Sequence, residues 1–265
     1  MPHWLAVVVL GLIEGVTEFL PVSSTGHLLL AESIGGLPPQ SDLFNIVIQS
    51  GTCVAVAVVF AGRLADLLSH LDEVPVRAYL AKLVAAVAVT VVGLLVAKRL
   101  GFTLPKNPEP VAWATLIGGL AILGIERWLR GRRLADEITW TIALGVGLAQ
   151  IVAGTFPGTS RAGATILVAL AIGANRPRAT EFSFLVGIPT LLGAGAYEAV
   201  RAMRHPGPVP TDWAMVALGT IVAAVAALLV VRWLLRFVQT HTFVGFGWYR
   251  IALGLAILIS SHRSV

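Results

Sequence analysis

Charged residues are scarce in this sequence. Asp, Glu, Lys and Arg account for 12% of the 265 residues, whereas 57% are hydrophobic, and the mean hydropathy is +0.85. Soluble domains carry about 25% charged residues, roughly twice this fraction. The shortage of charge excludes an ordinary soluble enzyme or binding module. It predicts an all-α integral membrane protein, which we expect to form a single membrane domain over residues 1–265.

Cysteine is almost absent, and so are the tracts that bind nucleic acid. Cys53 is the single thiol, which excludes an internal disulfide, and no cluster of Cys and His suggests zinc. The net charge is +5, but the arginines lie in short loops between apolar runs, so we expect no nucleic-acid partner. No Lys or Arg precedes the first apolar run, which Glu14 interrupts, so we expect no cleaved signal peptide.

Six apolar runs are long enough to cross a bilayer, which takes about 20 helical residues. These predicted crossings are residues 43–60, 78–97, 111–129, 182–200, 213–235 and 244–260. Shorter apolar helices are predicted at 4–19, 27–34 and 138–153, and the first of them is too short to span. We expect loops at the polar residues 61–77 and at the proline-marked stretches 98–110 and 204–210.

The first polar break in the apolar pattern reads EGVTEFLPVSSTGH, residues 14–27, which we call the first elbow. Glu14 and Glu18 are four residues apart, so on a helix they share one face with Cβ atoms about 6 Å apart. Pro21 lacks an N–H group and fixes φ, so the helix should break near Leu20. Hydroxyls and an imidazole follow the break, at Ser23, Ser24, Thr25 and His27. The pattern predicts a short helix whose chain then folds back.

The second break reads FPGTSRAGAT, residues 156–165, which we call the second elbow. Gly158 lets the backbone approach a ligand closely, and Thr159 and Ser160 offer hydroxyl groups. Arg161 carries a planar fork that matches phosphate oxygens. A helix starting near Ala162 would direct its N-terminal amides to the same point. We therefore expect an anion here, most plausibly phosphate.

The two elbows begin the two halves of an internal repeat. Each half contains a broken helix pair and then three crossings, and because three is odd the second copy must be inverted in the membrane. A shift of 136 positions pairs Gly11 with Gly147, Leu12 with Leu148, Glu14 with Gln150, Pro21 with Pro157 and Ser24 with Ser160. We predict six transmembrane helices plus two re-entrant broken-helix pairs in an inverted-topology repeat, with repeat 1 over about residues 1–130 and repeat 2 over about 138–265.

Basic residues are unequally divided between the two sides of this predicted topology. The side that holds the N-terminus carries Lys98, Arg99, Lys106, Arg201, Arg204 and Arg263. The opposite side carries Arg63, Arg77, Lys82, Arg127, Arg130, Arg132, Arg133, Arg176, Arg178, Arg232 and Arg236. Because positive residues favour the cytoplasm, we expect both termini outside the cell. This division leaves out Arg161, assigned to an elbow, and Arg250, assigned to a crossing.

Ionisable groups within a membrane are costly and are therefore functional candidates. Glu14 and Glu18 suit a hard divalent cation, Mg²⁺ or Ca²⁺. A carboxylate pair that faces a phosphate cradle is typical of metal-assisted phosphoryl transfer, with Ser24 or His27 as nucleophile or general base. Simpler interpretations compete: the glutamates could be solvated residues of an interfacial helix, His27 a packed residue, and the serines helix caps. Gln49 and Gln150 are interpreted as structural hydrogen-bonding residues.

Both elbows resemble signature regions of the bacterial undecaprenyl-diphosphatase family, also called bacitracin-resistance proteins. The similarity lies in EGVTEFLPVSSTGH and PGTSRAGAT and covers essentially the whole chain, including TEFSFLVGIP at residues 180–189. It implies removal of the terminal phosphate of undecaprenyl diphosphate, which recycles the lipid carrier for cell-wall polymers. It also implies metal dependence, an outward-opening site in the bacterial inner membrane, and the inverted-repeat fold. The family often has Ser after its arginine, where this chain has Ala162.

The resemblance completes the set of candidate site residues. The candidate catalytic residues are Glu14, Glu18, Ser24, His27 and Arg161; the candidate substrate-binding residues are Ser23, Thr25, Gly158, Thr159, Ser160 and Thr165; the candidate metal ligands are Glu14 and Glu18. The implied partners are undecaprenyl diphosphate and membrane lipid. Bacitracin would compete indirectly by binding the substrate, and a homodimer is left open.

Two other functions remain open from the sequence. The acid-phosphatase type of lipid phosphatase needs a His six positions after its arginine, where this chain has Leu167. A polyprenyl-phosphate transporter or flippase without hydrolase activity also uses inverted repeats and broken helices. The concentration of hydroxyls, imidazole, carboxylates and arginine in two elbows favours the hydrolase.

Overall fold

The computed structural model describes residues 1–33, 35–102, 107–205 and 210–263. These residues form eleven helices, and the only β-bridge among them joins Ala135 and Ala174. The helices are α1 (His3–Thr17), α2 (Ser24–Ser33), α3 (Asp42–Val59), α4 (Ala61–Ser69), α5 (Val74–Arg99), α6 (Pro108–Trp128), α7 (Trp140–Thr155), α8 (Arg161–Ile172), α9 (Arg176–Arg204), α10 (Trp213–Phe237) and α11 (Val244–Arg263).

Six of these helices are long and apolar enough to cross a membrane: α3, α5, α6, α9, α10 and α11. They coincide with the six predicted crossings, so the prediction of an all-helical, multi-pass membrane protein is confirmed. The shorter apolar helices α1, α7 and α8 and the short helix α2 occupy the segments predicted to form the two broken pairs. Ile34, Lys106, and parts of the loops predicted at 98–110 and 204–210 lie outside the described residues, as does the side chain of Arg263.

One predicted loop is wrong. Residues 61–77 contain helix α4, and α5 begins within the same stretch, at Val74. Leu67 is buried and Leu64 packs against the main core, whereas Arg63 and Asp66 form an ion pair of 2.9 Å near the surface. This short helix is therefore amphipathic, and its charged face gave the stretch its polar appearance.

Close helix packing brings the broken helices into the bundle. A Cβ added to Gly11 would lie 2.8 Å from the carbonyl oxygen of Gly219, and one added to Gly147 would lie 2.8 Å from that of Ala86. Helix α1 thereby packs closely on α10, and helix α7 packs closely on α5. Small residues allow such backbone contact between helices in lipid, where van der Waals packing replaces the hydrophobic effect. The two helices that lead into the elbows are consequently packed against the bundle.

A buried ion pair joins three parts of the chain: the end of α6, the start of α9 and the segment before α11. Glu126 near the end of α6 pairs with Arg176 at the start of α9, and its carboxylate also accepts the backbone N–H of Phe243 at 2.8 Å. The Glu126 side chain is 1% exposed. Its removal would leave the cation and the amide without an acceptor.

We expect Glu126→Gln to lower the free energy of unfolding by about 3 kcal/mol, since breaking a buried pair leaves an uncompensated charge. Thermal denaturation in detergent measures this loss. The control is Glu198→Gln, which removes the exposed partner of Arg201 in a pair of 3.5 Å and should cost less than about 1 kcal/mol. Equal melting temperatures for the two variants would show that the buried pair contributes nothing.

Candidate active site

The two elbows share an unusual backbone conformation. Ser23 and Ser160 are the only non-glycine residues with positive φ in the described chain, at 73° and 66°. Each serine stands directly before a helix, α2 or α8, and its Oγ accepts the N–H of a glycine three residues later, at 3.3 Å from Gly26 and 3.1 Å from Gly163. Such conformations cost about 1–3 kcal/mol and persist where surrounding structure holds them, often at functional sites.

This shared geometry changes the alignment of the elbows by one residue. The helix starts pair Ser23 with Ser160 and Ser24 with Arg161, whereas the sequence shift paired Ser24 with Ser160. The reason is local: two residues separate Pro21 from Ser24, but three separate Pro157 from Arg161. The hydroxyl of Ser24 and the guanidinium of Arg161 therefore begin corresponding helices.

Glu18 is the centre of the polar contacts. Its carboxylate accepts the Ser24 hydroxyl at 2.8 Å and the Gln49 amide at 2.9 Å. Arg161 Nε lies 3.4 Å from the other carboxylate oxygen, which joins the two elbows by an ion pair. Glu18 is 4% exposed, so these contacts form within the protein. Three polar side chains, Ser24 and Arg161 of the elbows and Gln49 of helix α3, thus meet at one carboxylate.

Glu14 lies one helical turn before Glu18 and is 2% exposed. Its carboxyl group interacts with the carboxyl group of Glu18 and with the charge of Arg161. Two buried carboxylates at this spacing repel each other, and a proton or a cation between them would relieve that repulsion.

Arg161 presents two free nitrogens inside the protein. Its Nη1 and Nη2 atoms are buried and have no hydrogen-bond partner within the described structure. The guanidinium carbon lies 5.1 Å from the centre of the Phe19 ring, and Gly187 leaves room for its outer edge, since a Cβ there would touch it. Phe19, Gly187 and Glu18 together fix the plane of the fork. Buried donors that lack acceptors are costly, so this fork is suited to an anionic ligand.

His27 is held in one tautomer. Nδ1 lies 2.8 Å from the carbonyl oxygen of Ser23, which can only accept, so Nδ1 carries the proton. Nε2 is then unprotonated and accepts the hydroxyl of Tyr249 at 2.6 Å, with the two rings stacked at 5.5 Å. The imidazole therefore has one basic nitrogen, and Tyr249 occupies it in this arrangement.

An apolar cavity of about 390 Å³ adjoins His27. It lies between the end of α1, the end of α10 and the start of α11, and its walls include Leu20, Val22, Trp233, Phe246 and Tyr249. The imidazole is thus placed between the polar elbows and an apolar space.

The remaining predicted residues lie in or beside the second elbow and at the start of α2. Ser160 Oγ also lies 3.4 Å from the carbonyl oxygen of Leu20, so it links the elbows. Thr165 is fully buried and bonds the Arg161 carbonyl at 2.8 Å and the Ser183 hydroxyl at 2.5 Å, so it supports the first turn of α8. Gly158 has φ of 90° and abuts the backbone of Val111. Thr25 and Thr159 are half-buried beside the other residues.

Three residues outside the predicted set take part in the site. Gln49, interpreted from sequence as structural, binds Glu18, and Tyr249 binds His27. Arg250, assigned to a crossing, is 1% exposed and contacts both elbows. The sequence did contain a sign of two of these roles: Gln49 and Arg250 lie in apolar runs, where polar groups are rare.

The residues fit a hard divalent cation. No group of three His, Cys, Asp or Glu side chains gathers anywhere in the described ranges, so protein carboxylates would supply two ligands, Glu14 and Glu18. Mg²⁺ characteristically uses one or two carboxylates and completes its shell with water and phosphate oxygens. A further oxygen, Oδ1 of Asn45, is buried without a hydrogen-bond partner one turn before Gln49 on α3. The two glutamates offer oxygen atoms alone, as a hard cation requires.

Comparisons with known proteins agree over nearly the whole chain. Three curated proteins named undecaprenyl-diphosphatase are similar to it. That of Rhizobium johnstonii is 48% identical over 252 residues, covering 94% of each chain. That of Xylella fastidiosa is 44% identical over 250 residues, covering 94% of this chain and 95% of its own. That of Xanthomonas axonopodis pv. citri is 42% identical over 260 residues, covering 98% and 97% respectively.

A family model extends this agreement through both elbows. The model described as "Bacitracin resistance protein BacA" matches residues 7–256, which include the elbows and all six candidate crossings in whole or large part. Together with the relatives of 42–48% identity, this match shows that the chain belongs to the BacA family of bacitracin resistance proteins.

Proposed function

We propose that this chain hydrolyses undecaprenyl diphosphate to undecaprenyl phosphate and inorganic phosphate, as the names of its relatives indicate. The observation that carries the proposal is the pair of buried, unpartnered Arg161 nitrogens beside the bonded Ser24 and Glu18 side chains. The reaction returns the lipid carrier to peptidoglycan synthesis. It also confers bacitracin resistance, because the antibiotic acts by binding the lipid diphosphate.

Arg161 binds the terminal phosphate in this proposal. Its Nη1 and Nη2 atoms donate to two phosphate oxygens, while Nε remains on Glu18. A bidentate contact of this kind fixes the orientation of a phosphate as well as its position. The amides at the start of α8 point toward the same anion.

Ser24 and Glu18 form the pair that carries out the transfer. The Ser24 oxygen forms a bond to the terminal phosphorus, its proton passes to Glu18 over the existing 2.8 Å hydrogen bond, and undecaprenyl phosphate leaves with the bridging oxygen. Water then releases phosphate from the serine and restores the hydroxyl. His27 Nε2, once Tyr249 releases it, is the base available for that water.

Glu14 and Glu18 would hold a divalent cation, Mg²⁺ or Ca²⁺. When bound, such a cation neutralises charge on the diphosphate oxygens as the bond to the leaving group breaks. The apolar cavity beside His27 suits the isoprene units next to the diphosphate, since its walls are aliphatic and aromatic. A transporter without hydrolase activity is not favoured, because transport requires no hydroxyl bonded to a buried carboxylate.

Phosphate release tests the proposed function directly. Purified protein in detergent, supplied with undecaprenyl diphosphate and Mg²⁺, should release inorganic phosphate in proportion to enzyme and over many turnovers. A detergent solution has no membrane gradient, so transport cannot produce the signal. Binding of the lipid without phosphate release would overturn the proposed hydrolysis.

Ser24→Ala should lower kcat by about 100-fold while KM changes little, since the hydroxyl acts mainly in the transition state. Steady-state phosphate release over a range of lipid concentrations separates the two constants. Ser69→Ala, at the exposed end of α4, is the matched control and should behave as wild type. An unchanged kcat in the Ser24 variant would transfer the nucleophilic role to His27 or water.

The inverted-topology repeat is part of the same proposal. Its support is the paired geometry of the elbows, where Ser23 and Ser160 adopt the same positive φ and cap α2 and α8 in the same way. In each half, three of the six candidate crossings follow the broken pair. The inner-membrane location, the outward-opening site and the single domain over residues 1–265 belong to this proposal, and a homodimer stays a prediction.

Both termini lie outside the cell in this topology. A cysteine at Arg133, in a Cys53→Ala background, should resist an impermeant thiol reagent in intact cells, because the loop after α6 is then cytoplasmic. A cysteine at Pro39, in the exposed loop between α2 and α3, should react readily and serves as the control. The opposite labelling pattern would reverse the orientation.

A further inference from the structure

Arg250 is the largest fully buried side chain of the described structure. It lies in α11 opposite Gly118 and Gly119 of α6, in the interior of the helix bundle. A Cβ on Gly118 would collide with the guanidinium group, so the absence of a side chain there creates the space that Arg250 fills. A buried arginine is costly in a membrane protein unless its donors are satisfied, which makes its partners informative.

Five carbonyl oxygens from three segments surround this guanidinium. Nε and Nη2 donate to α6, at 3.1 Å from Thr115 and 3.2 Å from Ala114. Nη1 and Nη2 donate to the second elbow, at 3.0 Å from Thr159 and 3.1 Å from Gly158. Nη1 also lies 3.4 Å from the carbonyl oxygen of Pro21 in the first elbow. One planar group therefore connects both elbows to the same transmembrane helix.

These contacts set the direction of the backbone amides in the second elbow. The C=O and N–H groups of a planar trans peptide point in opposite directions. When Arg250 holds the carbonyl of Thr159, the N–H of Ser160 is turned away from Arg250. Ser160, which has the positive φ, is the N-cap of helix α8, and Arg161 is the first residue of that helix. The orientation of the anion-binding fork thus depends on how Arg250 holds the turn before it.

Arg250 also completes the charge balance of the site. No carboxylate lies within ion-pair distance of it in the part of the chain that the structure describes, so its charge faces only carbonyl dipoles. When both carboxyl groups are ionised, Glu14 and Glu18 contribute two negative charges, and Arg161 and Arg250 contribute two positive charges. With His27 neutral the protein groups sum to zero, so the diphosphate charge calls for a cation that enters with it.

We propose that Arg250 is a positioning residue for phosphate binding: it locks the two elbows together, fixes the direction of the second elbow's amides and maintains a permanent positive charge behind them. This inference rests on the proposed diphosphatase function. Lysine cannot replace arginine in this role, since one ammonium group cannot reach carbonyl oxygens spread over three segments.

The test compares Arg250→Lys with a variant that loosens the same helix pair without touching the elbows. Leu123→Ala serves as that control, because Leu123 packs against Gly247 between α6 and α11. We expect Arg250→Lys to lower kcat/KM by about 100-fold and to weaken inhibition by inorganic pyrophosphate, since both need the assembled elbows. Leu123→Ala should lower the melting temperature. It should keep kcat/KM and the inhibition constant for pyrophosphate within about threefold of wild type.

A second variant keeps the inference testable if Arg250→Lys does not fold. Gly118→Ala retains the arginine and displaces its guanidinium, so it should reproduce the loss of activity and of pyrophosphate inhibition. Wild-type constants in either folded Arg250→Lys or folded Gly118→Ala would overturn the inference. The inference would also be overturned if Leu123→Ala lost as much activity and pyrophosphate inhibition as these variants at a comparable melting temperature. Failure of this inference can be told apart from failure of the proposed diphosphatase function. In the second case the wild-type protein itself would release no phosphate.

Discussion

Glu18→Gln should abolish most phosphate release while the protein remains folded. The amide keeps the shape of the side chain but loses the negative charge that pairs with Arg161 and accepts the Ser24 hydroxyl. The new amide NH₂ group would face the donors of Ser24, Gln49 or Arg161, which would then have to rearrange. We expect kcat/KM to fall by about 1000-fold, in the middle of the range for loss of a general base.

The measurement is lipid-diphosphate hydrolysis across a Mg²⁺ and Ca²⁺ titration, with melting temperature recorded in parallel. Glu73→Gln is the matched control, since Glu73 is exposed before α5 and its side chain caps nothing. Glu14→Gln should raise the divalent-cation concentration needed for half-maximal rate, because it removes one of the two carboxylates that would hold the ion. Full activity in the Glu18 variant, or wild-type turnover unaffected by thorough chelation, would contradict the carboxylate–metal mechanism.

Arg161→Lys should also cripple the enzyme even though the charge is retained. Lysine has no planar fork, so it cannot donate to two phosphate oxygens while holding Glu18 as the arginine can. The aromatic contact with Phe19 would also be weakened. We expect kcat/KM to fall by about 100-fold, and inorganic pyrophosphate to become a weaker inhibitor.

The control for this substitution is Arg77→Lys, the same change at an exposed position of α5. It should leave phosphate release and pyrophosphate inhibition at wild-type values. Near-normal kinetics for Arg161→Lys would mean that charge alone suffices, and the unpartnered nitrogens would then have another role.

Local chemistry made several features predictable from the sequence. The six crossings follow from apolar runs that match the thickness of a bilayer. The break in the first elbow follows from Pro21, whose ring excludes the carbonyl group four residues earlier, at Thr17. The break was predicted near Leu20, and helix α1 ends slightly earlier, at Thr17. The meeting of Glu18, Ser24 and Arg161 was anticipated from residue types, although their roles in catalysis stay predictions.

Other features could not be predicted because they depend on contacts between distant residues. The polar face of α4 resembled a loop, and only the folded structure shows that Leu67 on the same helix is buried. The one-residue offset between the elbows became visible only when Ser23 and Ser160 proved to share a backbone conformation. Gln49 was indistinguishable from a structural glutamine until α3 packed beside Glu18.

The sequence by itself determined that this is a helical membrane protein with two broken helices that carry carboxylates, hydroxyls and an arginine. Hydrophobic length and proline chemistry act within one segment, so one segment is enough to recognise them. The tertiary structure alone decided which nitrogens of Arg161 are free, which nitrogen of His27 is basic, and that Arg250 holds both elbows. Arg250 reaches Pro21 across 229 residues and Thr159 across 91, and hydrogen bonds over such separations exist only once the helices have packed.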